Sequence, residues 1–357
     1  MKKLFAIFSS FIMIFSAMFL YACGCSSTVM LTFNNNFAEG KEVSGGYKET
    51  LTYSVDYVKD EPGYKTDEKI FNGDVIKIEY ETGTAVTTLE VLNSFPSAIK
   101  SDLDELMGES GVKVYKYTNS LRIPITITLD GKSYSETEKV DTEAYFFSSN
   151  LSFSPIYSRE NSEYFIVAAG SSSANATRLK TSVETKYNRK DYTVSVNSKY
   201  FDIGEEVTEF SGQPNVQTYN YDFRTVVDNA QLGFITRGLT VDEKNGATVP
   251  VISFRYQKPQ TLSFSTSSSS ITLFNLKYNG KEYDRVTFNY NEISYRINSF
   301  NASGTPQKIC VQTKATDDIK NLALPVMYIE PLQSMSSGYA FYGCLKYTLK
   351  EIETANA

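Results

Sequence analysis

Alternation of apolar and polar residues at a period of two recurs along this chain and limits its fold more than any other feature. It covers residues 51–57, 76–80 and 123–129. Successive side chains of a strand point to opposite faces, so the pattern predicts strands with one buried face. Pairs such as Asn72-Gly73 and Asn279-Gly280 predict tight hairpin turns, because both residues of such a turn need positive φ. The sequence therefore predicts a mainly β, antiparallel, β-sandwich-like protein.

Two segments break this pattern and predict one short helix in each half of the chain. Residues 94–108 place apolar side chains at helical spacing, and residues 228–237 begin at a capping Asp228 and end before Gly238. Residues 204–215 mix Gly, Pro and acidic residues without periodicity. We therefore predict two β domains, an N-terminal one over residues 29–205 and a C-terminal one over residues 206–357.

Two local features modify the strand prediction. Pro124 lies inside the run 123–129, and a proline cannot donate to a neighbouring strand, so it predicts an edge position. The serine run Ser267–Ser270 predicts a loop between two strands.

The composition excludes several classes of function. The formal net charge is −6, which does not suit binding to nucleic acid. The chain has no His, which rules out Ser-His-Asp and Cys-His catalysis and His-ligated zinc sites. We therefore expect no metal or other cofactor, and an enzyme of this sequence would depend on carboxylates, Lys or Tyr.

Three patterns resemble chemical sites, and each has a simpler interpretation. Ser97 and Lys100 match the S-x-x-K of penicillin-binding enzymes, but no K-T-G follows, so a helix-capping serine is favoured. Asp102, Asp104 and Glu105 do not continue the spacing of a calcium loop and suit the solvated face of a helix. Glycoside hydrolysis needs a pair of carboxylates, and the sequence does not show which two of its 41 acidic residues would form that pair. The sequence therefore predicts no catalytic residue.

The N-terminus has the features of an export signal. Lys2 and Lys3 precede a long uncharged apolar run that ends at Ala22, directly before Cys23. Leu20 to Cys23 resembles the lipobox of bacterial lipoproteins, and the resemblance covers only the signal and the anchor. It implies a signal peptide over residues 1–22, a diacylglyceryl group on Cys23, and a short lipid-anchored tether over residues 23–28. The alternatives are an uncleaved transmembrane anchor and plain secretion.

Cys310 and Cys344 are the cysteines that remain after the anchor region. An exported chain meets an oxidising environment, so we predict a disulfide between them. The alternative is two buried thiols that act as small hydrophobic side chains.

These features together predict a lipoprotein on the extracytoplasmic side of a bacterial cell membrane, attached through its N-terminal lipid. The expected role is non-enzymatic binding or structural, toward a surface ligand or protein partner that the sequence does not identify. The alternative is a carboxylate-based enzyme acting on cell-wall or dietary glycans. A solute-binding lipoprotein would require alternating βα units, which the pattern does not contain.

Overall fold

The computed structural model describes the larger part of the chain. The described residues are 45–58, 77–93, 99, 113–129, 132–149, 152–169, 174–188, 190–202, 205–207, 209–210, 213–214, 216–220, 227–238, 247–253, 258–298, 306–331 and 343–355. The predicted Asn72-Gly73 turn and most of the predicted helix at 94–108 lie outside them. Ile99, the described residue of that helix, is helical and buried.

Strands make up most of the described chain. They are β1 Lys48–Val58, β2 Lys77–Tyr80, β3 Gly83–Val91, β4 Lys113–Leu129, β5 Lys132–Ser149, β6 Ser152–Ala169, β7 Ala174–Asn188, β8 Thr193–Asp202, β9 Glu205–Val207, β10 Glu209–Phe210, β11 Gln213–Pro214, β12 Val216–Asn220, β13 Val227–Asp228, β14 Ala247–Ser253, β15 Lys258–Tyr278, β16 Lys281–Asn298, β17 Gln307–Gln312, β18 Pro325–Pro331 and β19 Cys344–Ala355. A 3-10 helix, Asn229–Gln231, leads into the short α-helix α1, Leu232–Ile235. The mainly β prediction is confirmed.

Within the described residues the strands form a 17-stranded sheet and a separate 2-stranded one. Pairing runs from β12 through β8, β7, β6, β5, β4, β3 and β1 to β19, and continues through β18, β17, β16 and β15 to β14 and β13. Almost all pairs are antiparallel; β13 with β14 and β15 with β19 are parallel. The Asn279-Gly280 turn predicted between β15 and β16 is confirmed, because φ is 49° and 80° at its two residues.

The hydrophobic core draws on both halves of the chain. Tyr53 and Val55 of β1 share one buried cluster with Phe288 of β16 and Leu349 of β19. Strand β1 alternates between buried and half-buried positions, as its sequence pattern predicts. It pairs along its whole length with β19, the last strand. The division into two domains stays a prediction, and this pairing shows that the two halves share one sheet.

The serine run does not form a loop. Ser267–Ser270 lie inside β15 and pair with residues 289–292 of β16 without a break in register. The residues on either side of the run pair with β16 in the same register, and this register continues through the serines. The predicted loop is therefore wrong.

Pro124 is not on an edge strand. Strand β4 pairs with β5 on one side and with both β3 and β2 on the other. Pairing with β3 ends at Arg122 and pairing with β2 begins at Ile125, so the proline occupies the junction between them. A missing N–H costs little at such a junction, which explains why the edge prediction is wrong.

Among the described residues, no helix has the length and apolar character needed to cross a membrane.

Candidate functional site

A buried segment, residues 227–238, crosses the interior of the fold, and we call it the central segment. It contains the 3-10 helix and α1, and most of its residues are buried. Asp228 caps its start by accepting a hydrogen bond from the Ala230 amide at 2.8 Å. The helix predicted from Asp228 is thus confirmed, and its helical part covers residues 229–235.

The sheet curves around the central segment. The segment contacts β7 and β6 near its start and β1 near its end. Strands β7 and β1 are five sheet positions apart and β6 and β1 are four, which is about 24 Å and about 19 Å across a flat sheet. Asp228 itself belongs to β13, at one end of the pairing order, and its side chain bonds to β6 and β7, which lie near the other end. The sheet therefore curves back toward itself.

Asp228 anchors the start of the segment to one wall. Its Oδ2 accepts hydrogen bonds from Ser158 Oγ and from the Tyr187 hydroxyl, each at 2.6 Å. Ser158 belongs to β6 and Tyr187 to β7, and Asp228 and Ser158 are 0% exposed. One carboxylate therefore ties two strands and the helix start together.

The environment of Asp228 changes its acidity. Burial raises its pKa, and the hydrogen bonds from Ser158, Tyr187 and the Ala230 amide lower it by less, so its pKa is about 6. A carboxyl group with this pKa changes charge near neutral pH. It is out of reach of solvent, so no substrate can approach it in this conformation.

More polar groups lie on the same wall. The side-chain oxygens of Thr185 and Ser198 and both polar atoms of the Gln231 amide are buried without a hydrogen-bond partner in the protein. Thr185 is opposite Ser158 across β6 and β7. Gln231 is the last residue of the 3-10 helix that Asp228 caps. This part of the interior is polar, in contrast to the core around β1.

Arg237 anchors the end of the segment to the opposite wall. Its Nη1 and Nη2 donate to the Glu49 carboxylate at 2.7 and 2.9 Å. The same guanidinium donates to the carbonyls of Ala323 at 3.0 Å and Leu322 at 2.6 Å. Tyr47 donates its hydroxyl to Glu49 at 2.8 Å. The cluster joins three separate parts of the chain: residues 47–49, Arg237 and residues 322–323.

This ion pair is almost fully removed from water, since the two side chains are 3% and 1% exposed. Burial by itself lowers the Arg237 pKa, but the charge and hydrogen bonds of Glu49 outweigh it and hold the pKa above its ordinary value. The guanidinium is therefore charged at any physiological pH. Such a pair adds little net stability, because both charges lose their contact with water, but removing one partner is costly because it leaves the other charge buried and unpaired.

Aromatic packing fills the space between the two anchors. The Phe234 ring lies 5.3 Å from Tyr115 and 5.0 Å from Phe146, measured between centroids. Gly233 lies so close to Tyr117 that an added Cβ would be 2.7 Å from the hydroxyl oxygen. Burial raises the Tyr117 pKa to about 12, so this hydroxyl stays protonated. The small residue is needed to let the segment pass this tyrosine.

The structure describes few of the residues that the sequence suggested for chemistry. Cys23, Ser97, Lys100 and the acidic residues at 102–105 lie outside its described ranges. The described residues contain no group of three or more Cys, Asp or Glu side chains placed to hold a metal ion.

The cysteine pair is described, and its register argues against the predicted disulfide. Cys310 pairs with Met327 of β18, which pairs with Thr348 of β19, and Cys344 lies four residues before Thr348. Two strand spacings and four residues correspond to about 16 Å between Cα atoms, whereas a disulfide needs less than about 7 Å. The structure buries both residues and contains no bridge between them. Burial raises the Cys310 pKa to about 12, which makes this thiol unreactive.

The sequence contained one signal for the buried ion pair. Glu49 is two residues before Leu51, so it is in phase with the apolar positions of β1 and falls on their buried face. A charged residue in phase with a buried face requires a partner of opposite charge. That partner, Arg237, is 188 residues away, and no pattern connects the two.

Comparison with known proteins gives no more than a distant structural likeness. No protein-family model matches the chain, and no curated protein does. The chain is similar to the crystal structure of a beta-barrel-like protein of a domain of unknown function, DUF1849, from Brucella abortus. The TM-score is 0.38 at 10% sequence identity, and the alignment covers 88% of this chain and 99% of the other. We base no functional argument on a likeness of this size.

Proposed function

We propose that this chain is a lipoprotein anchored on the extracytoplasmic side of a bacterial cell membrane, with a non-enzymatic binding or structural role. The observation that carries the proposal is the lipobox-like stretch Leu20 to Cys23, at the end of an apolar run with two preceding lysines. Acyl chains on Cys23 would hold the body close to the membrane, because the tether has only a few residues.

The role of the buried polar groups supports a non-enzymatic function. Asp228 has the raised pKa that catalytic acids often have, but Ser158, Tyr187 and a backbone amide occupy its oxygens. Arg237 and Glu49 bind each other and two carbonyls in the core. These groups hold the central segment in place, which accounts for their burial without a reaction.

Metabolic labelling with palmitate tests the anchor. The wild-type chain should incorporate label and partition with membranes, and Cys23→Ala should lose both properties. Cys25→Ala is the matched control and should keep them. Label that persists in Cys23→Ala, or that disappears only in Cys25→Ala, would show that the anchor is assigned to the wrong residue.

An assay on glycans tests the rest of the proposal. Purified wild-type protein incubated with cell-wall or dietary glycans should release no new reducing ends. Release that depends on the protein would favour the carboxylate-based enzyme instead.

A further inference from the structure

Ser158, Thr185 and Ser198 form a polar patch on the inner face of the sheet, and we call this patch the polar wall. Ser158 of β6 pairs directly with Thr185 of β7. Ser198 of β8 is a diagonal neighbour of Thr185 on the same face, because its pairing partner in β7 lies two residues before Thr185. Ser158 donates a hydrogen bond to Asp228. The polar wall is therefore turned toward the start of the central segment.

The hydroxyl groups of Thr185 and Ser198 are removed from solvent and have no hydrogen-bond partner among the described residues. Both residues are 0% exposed. Gln231 belongs to the 3-10 helix that packs against β6, is 0% exposed, and has no described partner for either polar atom of its amide. A buried polar atom without a partner costs about as much as a lost hydrogen bond. Four such atoms in the polar wall and Gln231 therefore point to a bound polar molecule.

The next polar pair along the same two strands is satisfied within the protein. Ser162 pairs with Thr181, and their hydroxyl groups bond to each other directly. Ser158 and Thr185 are arranged in the same way across the strands, but no such bond joins them. Ser158 gives its proton to Asp228 and keeps lone pairs that can still accept. A molecule between the two hydroxyl groups could therefore donate to Ser158 and bond Thr185 as well.

The spacing of Ser158 and Thr185 suits one bridging water molecule. Directly opposed side chains of antiparallel strands have Cβ atoms about 4.5 to 5.5 Å apart. A water molecule that bonds two oxygens at about 2.8 Å each can span up to about 5.6 Å. The diagonal distance from Thr185 to Ser198 is about 7 to 8 Å, which is too long for the same molecule. Ser198 therefore needs a second one.

Small side chains surround this part of the interior. One row across β5, β6, β7 and β8 consists of Ala144, Ser158, Thr185 and Val196. Ala230 of the central segment shares a buried cluster with Ala144 and Val196, so it packs over this row. Polar sites of this kind hold ordered water, whereas the cavities that stay empty in proteins are apolar.

We propose that the polar wall and Gln231 bind ordered internal water, with one molecule bridging Thr185 and Ser158 and a second bound to Ser198. The first molecule completes a hydrogen-bonded chain that runs from Thr185 through Ser158 to Asp228. The bound water thereby joins three strands of the sheet to the central segment. This inference goes beyond the function proposed above and does not depend on the lipid anchor.

Relaxation dispersion of water oxygen-17 counts the water molecules that a protein holds in its interior, and it tests the proposal in solution. The full-length protein is compared with Thr185→Val, which keeps the shape of the side chain and removes its hydroxyl group. The dispersion amplitude should fall by the equivalent of about one water molecule per chain. Thr181→Val is the matched control on the same strand and face, because the Thr181 hydroxyl already has a protein partner in Ser162. It should not lower the amplitude.

A crystal structure of the full-length wild-type protein locates the molecules directly, even if a variant does not fold. Density for water should lie within about 3.2 Å of Thr185 Oγ1, of Ser198 Oγ and of the Gln231 amide. No density within this distance of the two hydroxyl oxygens would overturn the proposal. Density for a larger molecule would overturn water as the ligand. An equal fall of the amplitude in Thr185→Val and Thr181→Val would show a general loosening of the interior, and it would overturn the proposal as well.

Discussion

The charge of Asp228 should make the stability of this protein depend on pH in an unusual direction. Its carboxyl has a pKa of about 6 in the folded state, against an ordinary value of 3.8. A folded-state pKa that is raised favours the protonated form of the folded protein. The contribution of this group to stability is therefore complete below the ordinary pKa and is lost as pH rises through 6.

The size of the effect follows from the difference between the two pKa values. Each unit corresponds to about 1.4 kcal/mol, so the full shift corresponds to about 3 kcal/mol. Between pH 4 and pH 7 the group titrates through most of this range, and about 2 to 3 kcal/mol of unfolding free energy should be lost. Other carboxyl groups titrate in the same range, so the contribution of Asp228 must be isolated by a variant.

Asp228→Asn isolates it, because asparagine keeps an oxygen that can cap the helix but cannot ionise. Unfolding by urea, followed by far-UV circular dichroism at several pH values, gives the free energy of each protein. The wild-type value minus the variant value should fall by about 2 to 3 kcal/mol from pH 4 to pH 7. A difference that stays constant over this range would refute the argument, since Asp228 would then titrate as an ordinary exposed carboxyl.

A second variant keeps the test decisive if Asp228→Asn folds poorly. Ser158→Ala removes one hydrogen bond that lowers the Asp228 pKa. The pKa should therefore rise further, and the loss of stability should move to higher pH. Movement to lower pH would contradict the assigned role of Ser158.

Three further predictions concern packing and the cysteines. Arg237→Met leaves Glu49 buried without its guanidinium and should lower the free energy of unfolding in urea by about 3 to 5 kcal/mol. The double variant Glu49→Leu with Arg237→Met should lose less than the sum of the two single variants. Additive losses would contradict the pairing. Gly233→Ala should cost about 1 to 3 kcal/mol through its contact with the Tyr117 hydroxyl, and Tyr117→Phe should recover part of the loss; a neutral Gly233→Ala would show that the contact is relaxed. Cys310 and Cys344 should each take up one alkyl group in denatured, unreduced protein. An intact mass without these additions would show that the two cysteines form a disulfide.

Local pattern was sufficient for the parts of the fold in which neighbouring residues decide the conformation. The alternation from Leu51 predicted β1, and the Asp228 cap and Gly238 bounded the helical part of the central segment. The Asn279-Gly280 turn followed from the positive φ that such turns need. In each case the residues that produce the sequence pattern also make the local contacts that determine the conformation.

The sequence-based predictions were wrong where pairing with distant strands determines the conformation. Ser267–Ser270 form a strand because β16 pairs across them, although serine has no strong preference for strands. Pro124 is tolerated inside the sheet because β2 and β3 meet there, which the run 123–129 cannot reveal. The buried ion pair joins residues from opposite halves of the chain, and its geometry depends on the curvature of the sheet.

The pairing of the first described strand with the last has a consequence for how the protein folds. Strand β1 is synthesised early, but its partner β19 is the last described strand, so this pairing cannot form until nearly all of the described chain has been made. Contacts of such long sequence separation slow folding, because a large loop must be closed before they form. In the meantime β1 presents an unpaired edge with an apolar face, which favours aggregation. A chain that ends before Cys344 would stay in that state permanently.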